Sequence, residues 1–299
     1  MLRWRLTLGA ALIAGLIALC WLDARAAMPG IWLLPLAVVA ALLASQETLS
    51  LLAARGLHPA AWVVYLGNAA LVLSNYVPLL WPRAPMDPLG WPLAAFGLGV
   101  VLAFVAEMAR YERPGAVMER LGLTVFSLAY VGVLLSFVCQ LRMLGEPPGR
   151  LGIAALASLV IVVKMCDTGA YTVGRLIGRH KLAPTLSPGK TIEGAVGGIA
   201  AACLGAWFAL EWLTPRLVQP GERGAAADGL EFGWLAFGAV VGIAGMLGDL
   251  AESLIKRDLG RKDSSTWMPG FGGVLDLLDS ILYAAPVAYL CWALGLVGY

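Results

Sequence analysis

Apolar stretches without Asp, Glu, Lys or Arg recur along the whole chain and predict membrane-spanning helices. A helix that crosses a bilayer needs roughly 20 mostly apolar residues. The nine candidates are residues 6–22, 26–46, 57–82, 88–106, 121–141, 151–163, 194–210, 232–248 and 280–299. The pattern predicts an all-α, polytopic integral membrane protein with about nine transmembrane helices. We expect two parts: residues 1–150 with helices one to five, and residues 151–299 with helices six to nine, which carry the chemistry.

The composition indicates that lipid surrounds much of the protein. Of its 299 residues, 60% are hydrophobic and 13% are charged, whereas a typical soluble domain has about 25% charged residues. This excludes a soluble enzyme, a disordered tail protein and a disulfide-stapled secreted module. The net charge of +2 indicates no nucleic-acid partner. The five cysteines form no C-x-x-C pair, so we expect neither a zinc site nor a redox pair.

The distribution of Lys and Arg predicts the orientation. The predicted side that holds the N-terminus has 14 of these residues and the opposite side has 6, with Lys164 inside the membrane. Cytoplasmic loops are enriched in Lys and Arg, so we expect the N-terminus inside and the protein in the cell (inner) membrane. A signal peptide cleaved near Ala24-Arg25-Ala26 is the alternative for the first helix. We favour an uncleaved helix because its apolar run is long enough to span.

Charged residues follow the eighth apolar stretch and open the ninth. If the eighth helix continues beyond residue 248, a polar face forms at positions i, i+3, i+4 and i+7. Its members are Asp249, Glu252, Ser253 and Lys256. Such a face at membrane depth cannot face lipid, so it lines a cavity or the protein interior. Asp276 and Asp279 add two carboxylates, three residues apart, at the start of the ninth helix.

Carboxylates close to Lys, Arg and Ser are what a magnesium–phosphate site needs, because Mg²⁺ binds carboxylates together with phosphate oxygens. The basic side chains would neutralise the charge that builds up in phosphoryl transfer. A surface lattice of ion pairs at a helix end is the alternative interpretation. With only His58 and His180 in the chain, a multi-histidine metal site is excluded.

A second polar segment precedes the seventh helix and reads Ser187-Pro188-Gly189-Lys190-Thr191. It is not a P-loop, because that motif requires Gly where Pro184 stands and follows a strand, which we do not expect here. Backbone N–H groups at the helix start, together with Lys190 and the Ser187 and Thr191 hydroxyls, would still bind a phosphate. A simple helix N-cap is the alternative.

Several segments, in order, resemble the phosphatidate cytidylyltransferase (CDP-diacylglycerol synthase) family, and the similarity covers roughly residues 160–295. The segments are Asp167-x-Gly-Ala-Tyr171, His180-Lys181-Leu-Ala-Pro184, Ser187-Pro-Gly-Lys190-Thr191-x-Glu193-Gly194, Gly248-Asp249, Glu252-Ser253-Leu-Ile-Lys256-Arg257, Lys262-Asp263 and Pro269-Gly-Phe-Gly272-Gly273-Val-Leu-Asp276-Leu-Leu-Asp279.

The resemblance implies that CTP and phosphatidate react to give CDP-diacylglycerol and pyrophosphate. It also implies an all-helical, Mg²⁺-dependent homodimer whose site faces the cytoplasm, with a second cation as an option. The expected metal ligands are Asp249, Asp276 and Asp279, which with Lys256 form the catalytic set. The expected substrate-binding residues are Asp167, Tyr171, Lys181, Ser187, Lys190, Ser253, Arg257, Lys262 and Asp263.

The chain departs from the family pattern at three positions. Phe271 replaces a usual His, Leu277 a usual Arg, and Lys164 a common Trp. Neither Phe271 nor Leu277 affects the carboxylates. Two alternatives stay open from the sequence: transfer to another lipid phosphate, and a transporter for an anionic substrate, whose path the same buried charges would form.

Overall fold

Helices account for nearly all of the regular structure in the computed structural model, which describes residues 2–81, 83, 85–145, 149–218, 230–265 and 272–298. The chain divides into two compact units. Unit 1 comprises Met1–Gln140 and Asp258–Leu277, and unit 2 comprises Leu141–Arg257 and Leu278–Tyr299. The division of function at residue 150 stays a prediction.

Unit 1 contains the N-terminal helices. They are α1 (Leu2–Asp23), α2 (Leu33–Ala53), α3 (Ala61–Ser74), α4 (Val77–Leu80), α5 (Gly90–Ala109), α6 (Val117–Ser127), a π-helical segment (Leu128–Val133) and most of α7 (Leu134–Arg142). The first turn of α12 (Val274–Ala293) also belongs to this unit, and the rest of that helix lies in unit 2.

Unit 2 contains most of the C-terminal helices and two short strands. Its further elements are α8 (Arg150–Ile177), β1 (Lys181–Ala183), β2 (Ser187–Thr191), α9 (Ile192–Trp207), a π-helical segment (Phe208–Leu213), α10 (Thr214–Leu217) and α11 (Gly233–Asp258). The helices α8 and α11 each continue beyond their apolar stretches into charged sequence. The predicted continuation of the eighth span is therefore confirmed.

Seven helical stretches in the described part of the chain are long and apolar enough to cross a membrane. They are Leu33–Ala53, Gly90–Ala109, Val117–Arg142, Arg150–Ile177, Ile192–Leu217, Gly233–Asp258 and Val274–Ala293. Two shorter apolar helices, Gly9–Asp23 and Ala61–Ser74, coincide with two further predicted stretches. The all-α membrane fold is confirmed, whereas the count of nine spans and the inside N-terminus stay predictions.

Several polar side chains in the helices of unit 1 form hydrogen bonds within their own helix or to a neighbouring helix. The hydroxyls of Ser45 and Thr48 donate to backbone carbonyls one turn earlier in α2, at 2.6 and 2.8 Å. The Asn68 amide of α3 donates to Ser45 Oγ at 2.7 Å. Such pairing is required where no water is available. The π-helical segment approaches α3 at Gly132, where a side chain would overlap Asn68 and Leu71.

The strands β1 and β2 form an antiparallel hairpin between α8 and α9, with Lys181 opposite Thr191 and Ala183 opposite Ser187. We expected no strand before the seventh helix, and that expectation is wrong. The strand β1 is only three residues long, and the five residues of β2 include Ser, Pro and Gly, which have low β-propensity, so the sequence gives no signal for them. The hairpin carries three predicted substrate-binding residues: Lys181, Ser187 and Lys190.

Candidate active site

Three carboxylates from three helices of unit 2 lie near one another. Asp167 is on α8, Asp249 on α11 and Asp279 on α12. Asp279 interacts electrostatically with both of the others and with Lys164, although only 7% of its surface is exposed. Neighbouring carboxylates repel each other unless positive charge lies between them. A positive charge near them would therefore stabilise their ionised forms.

Two lysines supply part of that positive charge. Lys190 Nζ lies 2.8 Å from Asp249 Oδ2, and Lys164 Nζ lies 3.2 Å from Asp167 Oδ2. We refer to Lys164, Asp167, Lys190, Asp249 and Asp279 as the unit 2 charge cluster. Within this cluster the carboxylates outnumber the ammonium groups, so an added cation would be attracted to it.

The close approach of α11 and α12 explains why Asp249 and Asp279 lie near each other. A Cβ atom at Gly248 would lie 2.6 Å from Tyr283 Cβ and 2.7 Å from the Asp279 carbonyl oxygen. Only glycine allows the two backbones to come this close. Asp249 follows Gly248 directly, so the contact places it beside the turn that carries Asp279.

The base of the hairpin is fixed by residues at the start of α9. Glu193 accepts hydrogen bonds from the backbone N–H groups of Arg179 and His180, at 3.0 and 3.2 Å, and lies 2.6 Å from His180 Nδ1. Thr191 Oγ1 accepts the N–H of Gly194 at 3.1 Å. That contact is an N-cap, so this alternative from the sequence is confirmed for Thr191.

The tip of the hairpin is attached to α11. Arg257 Nε donates to the Leu186 carbonyl at 3.2 Å, and Lys190 on β2 pairs with Asp249. Two predicted phosphate-binding cations therefore also hold the hairpin in place. Lys181 on the same hairpin is exposed and Ser187 is half-buried.

The polar face predicted on the eighth span lies partly inside unit 2. Glu252 is 1% exposed and its Oε2 lies 2.5 Å from Lys256 Nζ, one turn later in α11. Ser253 beside it is half-buried. A buried carboxylate with a paired ammonium is stable only when the partner stays in place. Lys256 is therefore bound to Glu252 in this structure, and its predicted catalytic role is untested.

Tyr171 lies one turn after Asp167 on α8. Its ring is exposed, and its hydroxyl accepts a hydrogen bond from Arg175 at 2.7 Å. The spacing of four residues places Tyr171 and Asp167 on the same helix face. Tyr171, a predicted substrate-binding residue, therefore lies one helical turn from Asp167 of the unit 2 charge cluster.

Asp276 makes a different set of contacts, within unit 1. Its Oδ2 accepts the Gly273 N–H at 2.7 Å, and the N–H and hydroxyl of Ser264 at 3.2 and 2.6 Å. These are contacts of a cap at the start of α12. Lys262 and Asp263, which precede Ser264, are exposed. Phe271 lies outside the described residues.

A comparison with known families decides what the chain is related to. The cytidylyltransferase family matches residues 5–294, which is nearly the whole chain. The chain belongs to this family.

Individual relatives of this cytidylyltransferase-family chain carry a more specific name. A phosphatidate cytidylyltransferase from Haemophilus influenzae is 40% identical over 135 residues, which are 45% of this chain and 44% of the relative. Namesakes from Staphylococcus aureus and Staphylococcus epidermidis are 34% and 36% identical over 165 residues, which are 54% of this chain and 55% of each relative. The match thus spans about half the length of these relatives.

The three predicted metal ligands do not all lie in the same unit. In the part of this cytidylyltransferase-family chain that the structure describes, no group of three or more His, Cys, Asp or Glu side chains is arranged to hold a metal ion. Asp249 and Asp279 belong to unit 2, and Asp276 belongs to unit 1. The oxygen ligands and excess negative charge of the unit 2 charge cluster still suit Mg²⁺. Metal binding stays a prediction.

Sequence reasoning missed two acidic residues that organise this cytidylyltransferase-family chain. Glu193 holds the hairpin, and Glu47 of α2 accepts hydrogen bonds from the start of α12. Glu193 lies in one of the segments that carry the family resemblance, but no role was assigned to it. Glu47 directly follows an apolar stretch and precedes Leu51 and Leu52, and a carboxylate in such a helix is costly unless it has partners.

Proposed function

We propose that this protein is a phosphatidate cytidylyltransferase. In the reaction, a phosphate oxygen of phosphatidate attacks the α-phosphorus of CTP. The bond from that phosphorus to the oxygen bridging to the β-phosphate breaks, and pyrophosphate leaves. The products are CDP-diacylglycerol and pyrophosphate. The single observation that carries the proposal is the unit 2 charge cluster, in a chain whose family membership extends over nearly its whole length.

The cluster suits a reaction between two polyanions. The lipid phosphate is already an anion, so no strong general base is needed. Catalysis then consists of holding the two substrates together and stabilising the negative charge on the leaving group. Lys190 and Arg257 supply cations beside the hairpin, and the half-buried Ser187 and Ser253 supply hydroxyl donors.

We also propose that Mg²⁺ acts in this reaction. Asp249 and Asp279 of unit 2 would hold it. When bound, the ion would neutralise phosphate charge and stabilise the pyrophosphate that leaves. The chain's own part is to hold Asp249 through Lys190 and to bring α11 and α12 together at Gly248.

The finer features that the resemblance implies belong to the same proposal. The site would face the cytoplasm of the inner membrane, because the Lys and Arg bias places the hairpin and the segment after α11 on that side. The protein would act as a homodimer. Cross-linking in membranes and labelling of Lys181→Cys with an impermeant thiol reagent would test these two statements.

The activity is tested with purified protein in detergent. CTP labelled at the α-phosphorus is mixed with phosphatidate and Mg²⁺, and the lipid product is identified by mass spectrometry. Parallel reactions replace phosphatidate with a polyprenyl phosphate and CTP with dCTP. Labelled CDP-diacylglycerol formed from phosphatidate is the expected result. Uptake of anions into proteoliposomes without any nucleotide-linked lipid would overturn the proposal in favour of transport.

A further inference from the structure

The buried carboxylate of Glu47 binds the start of α12. Glu47 lies on α2 and is 5% exposed. Its Oε1 accepts the N–H of Val274 at 2.9 Å, and its Oε2 accepts the N–H of Leu275 at 2.8 Å. The Ser264 hydroxyl lies 3.0 Å from the same Oε2. A residue more than 200 positions away in sequence therefore caps this helix.

The cap satisfies groups that a helix leaves without intrahelical partners. The first N–H groups of a helix have no carbonyl to bond, and the helix dipole favours a negative charge beside them. Here Asp276 accepts the N–H of Gly273, and Glu47 accepts the next two. Three consecutive N–H groups are thus bound by two carboxylates, one of them from another helix.

The backbone at this point is shaped around Glu47. A Cβ atom at Gly273 would overlap Glu47 Oε2 and Ser264 Oγ. Gly272 has a φ of +83°, a conformation that glycine adopts at low cost. The Glu47 carboxylate therefore occupies the space that a side chain at residue 273 would need, so only glycine fits there.

We infer that Glu47 is a positioning residue for the aspartates of α12, an inference that rests on the proposed function. Glu47 fixes the axial position and the rotation of the first turn. Asp279 lies four residues after Leu275 on the same continuous helix, so a shift or rotation of that turn moves it as well. In this proposal, Glu47 does not contact the substrate. It acts by fixing the carboxylate on which the unit 2 charge cluster depends.

The test compares Glu47→Gln with Thr48→Val. Gln keeps the shape of Glu but replaces one acceptor oxygen with an NH₂ group that cannot accept an N–H. Thr48 is buried beside it on α2, and its hydroxyl bonds only the Ala44 carbonyl of its own helix among the hydrogen bonds described. Glu47→Asp is the second variant, used if the Glu47→Gln protein does not fold. Hydrogen–deuterium exchange over residues 272–280 and steady-state kinetics are measured on all of them.

In Glu47→Gln we expect faster exchange confined to residues 272–280. We also expect kcat to fall about a hundredfold with KM for CTP changed by less than about threefold, since a displacement of about 1 Å has that effect on rate. Thr48→Val should change neither quantity. Unchanged exchange overturns the inference, and so does faster exchange with normal kcat or an effect confined to KM. If the wild-type protein forms no CDP-diacylglycerol, the proposed function fails, and the exchange result alone then decides whether Glu47 positions α12.

Discussion

Lys190 on strand β2 and Asp249 on helix α11 form an ion pair with 2.8 Å between Nζ and Oδ2. The pair joins the hairpin to the helix that carries the predicted metal ligand. Under the proposed function, the same ammonium group would also bind a phosphate of the nucleotide. The Lys190 side chain would then both hold the hairpin against α11 and bind substrate.

Lys190→Met should lower kcat/KM about a hundredfold or more, because one preorganised charge contact in the transition state is lost. Purified protein assayed for CDP-diacylglycerol formation gives the measurement. Arg113→Met is the matched control, since Arg113 is an exposed cation of unit 1 outside the site. Equal losses in the two variants would show that net charge, and not the Lys190–Asp249 pair, is responsible.

Asp279→Asn should abolish turnover without unfolding the protein. Asn keeps the shape of the side chain but removes the charge that would hold Mg²⁺, which predicts a rate loss on the order of a thousandfold. Thermal stability without metal should be kept, because removing one carboxylate relieves repulsion from Asp249 and Asp167. Near wild-type turnover would show that Asp279 does not bind the metal.

Asp276→Asn separates capping from metal binding at the other aspartate. Asn caps helices about as well as Asp, so the contacts to Gly273 and Ser264 should persist and the stability should change by less than about 1 kcal/mol. If Asp276 also binds Mg²⁺, as the family resemblance implies, turnover should fall about a hundredfold. Thermal denaturation and turnover are measured on the same protein preparation. Unchanged turnover would show that Asp276 only caps α12 and does not bind Mg²⁺.

The sequence predicted the helices well because lipid imposes a simple rule on them. In lipid, the backbone groups of each span must form hydrogen bonds within the helix, and its side chains must be mostly apolar. An uninterrupted apolar run such as 232–248 therefore predicts a helix directly. The charges that continue α11, Asp249 and Glu252, were also visible, since polar groups at membrane depth must be buried or functional. Both features depend on residues close together in the chain.

The features that the sequence did not predict depend on distant partners. Nothing near Glu47 shows that it caps a helix that starts at Val274. The pairing of Lys190 with Asp249 likewise joins two separate motifs. The hairpin was missed because its strands are short and because β2 contains Ser, Pro and Gly, which favour turns. Asp276 was predicted as a metal ligand, and the structure shows that it accepts hydrogen bonds from Gly273 and Ser264 at the start of α12.

Gly248→Ala should damage both stability and activity. The new methyl group would meet Tyr283 and the backbone carbonyl of Asp279, and backbone cannot move aside easily. Overpacking of this kind costs about 1–3 kcal/mol. Gly97→Ala is the control, because nothing lies within 4 Å of a Cβ atom there. Thermal denaturation in detergent should show a loss for Gly248→Ala and no loss for Gly97→Ala, and equal behaviour would contradict the close packing of α11 and α12.

Lys164 and Asp167 allow a test of the unit 2 charge cluster in which two variants have opposite effects. Lys164 is paired with Asp167 at 3.2 Å and interacts with Asp279. Lys164→Met removes a positive charge, so the remaining carboxylates should bind a divalent cation more tightly. Asp167→Asn removes a negative charge and should weaken binding. Changing one charge close to a partly solvated cation site shifts the affinity for the cation by about tenfold. Binding of Mn²⁺ measured by electron paramagnetic resonance gives the affinity without any turnover.

Arg25→Met is the control for the Mn²⁺ measurement, because Arg25 is a cation stacked on Trp21 in unit 1, outside the cluster. Its affinity for Mn²⁺ should equal that of the wild-type protein. If Lys164→Met and Asp167→Asn shift the affinity in the same direction, the two substitutions act by disturbing α8 and not through charge. The cluster would then be a structural ion-pair network, and the ion would have to be bound elsewhere in the protein.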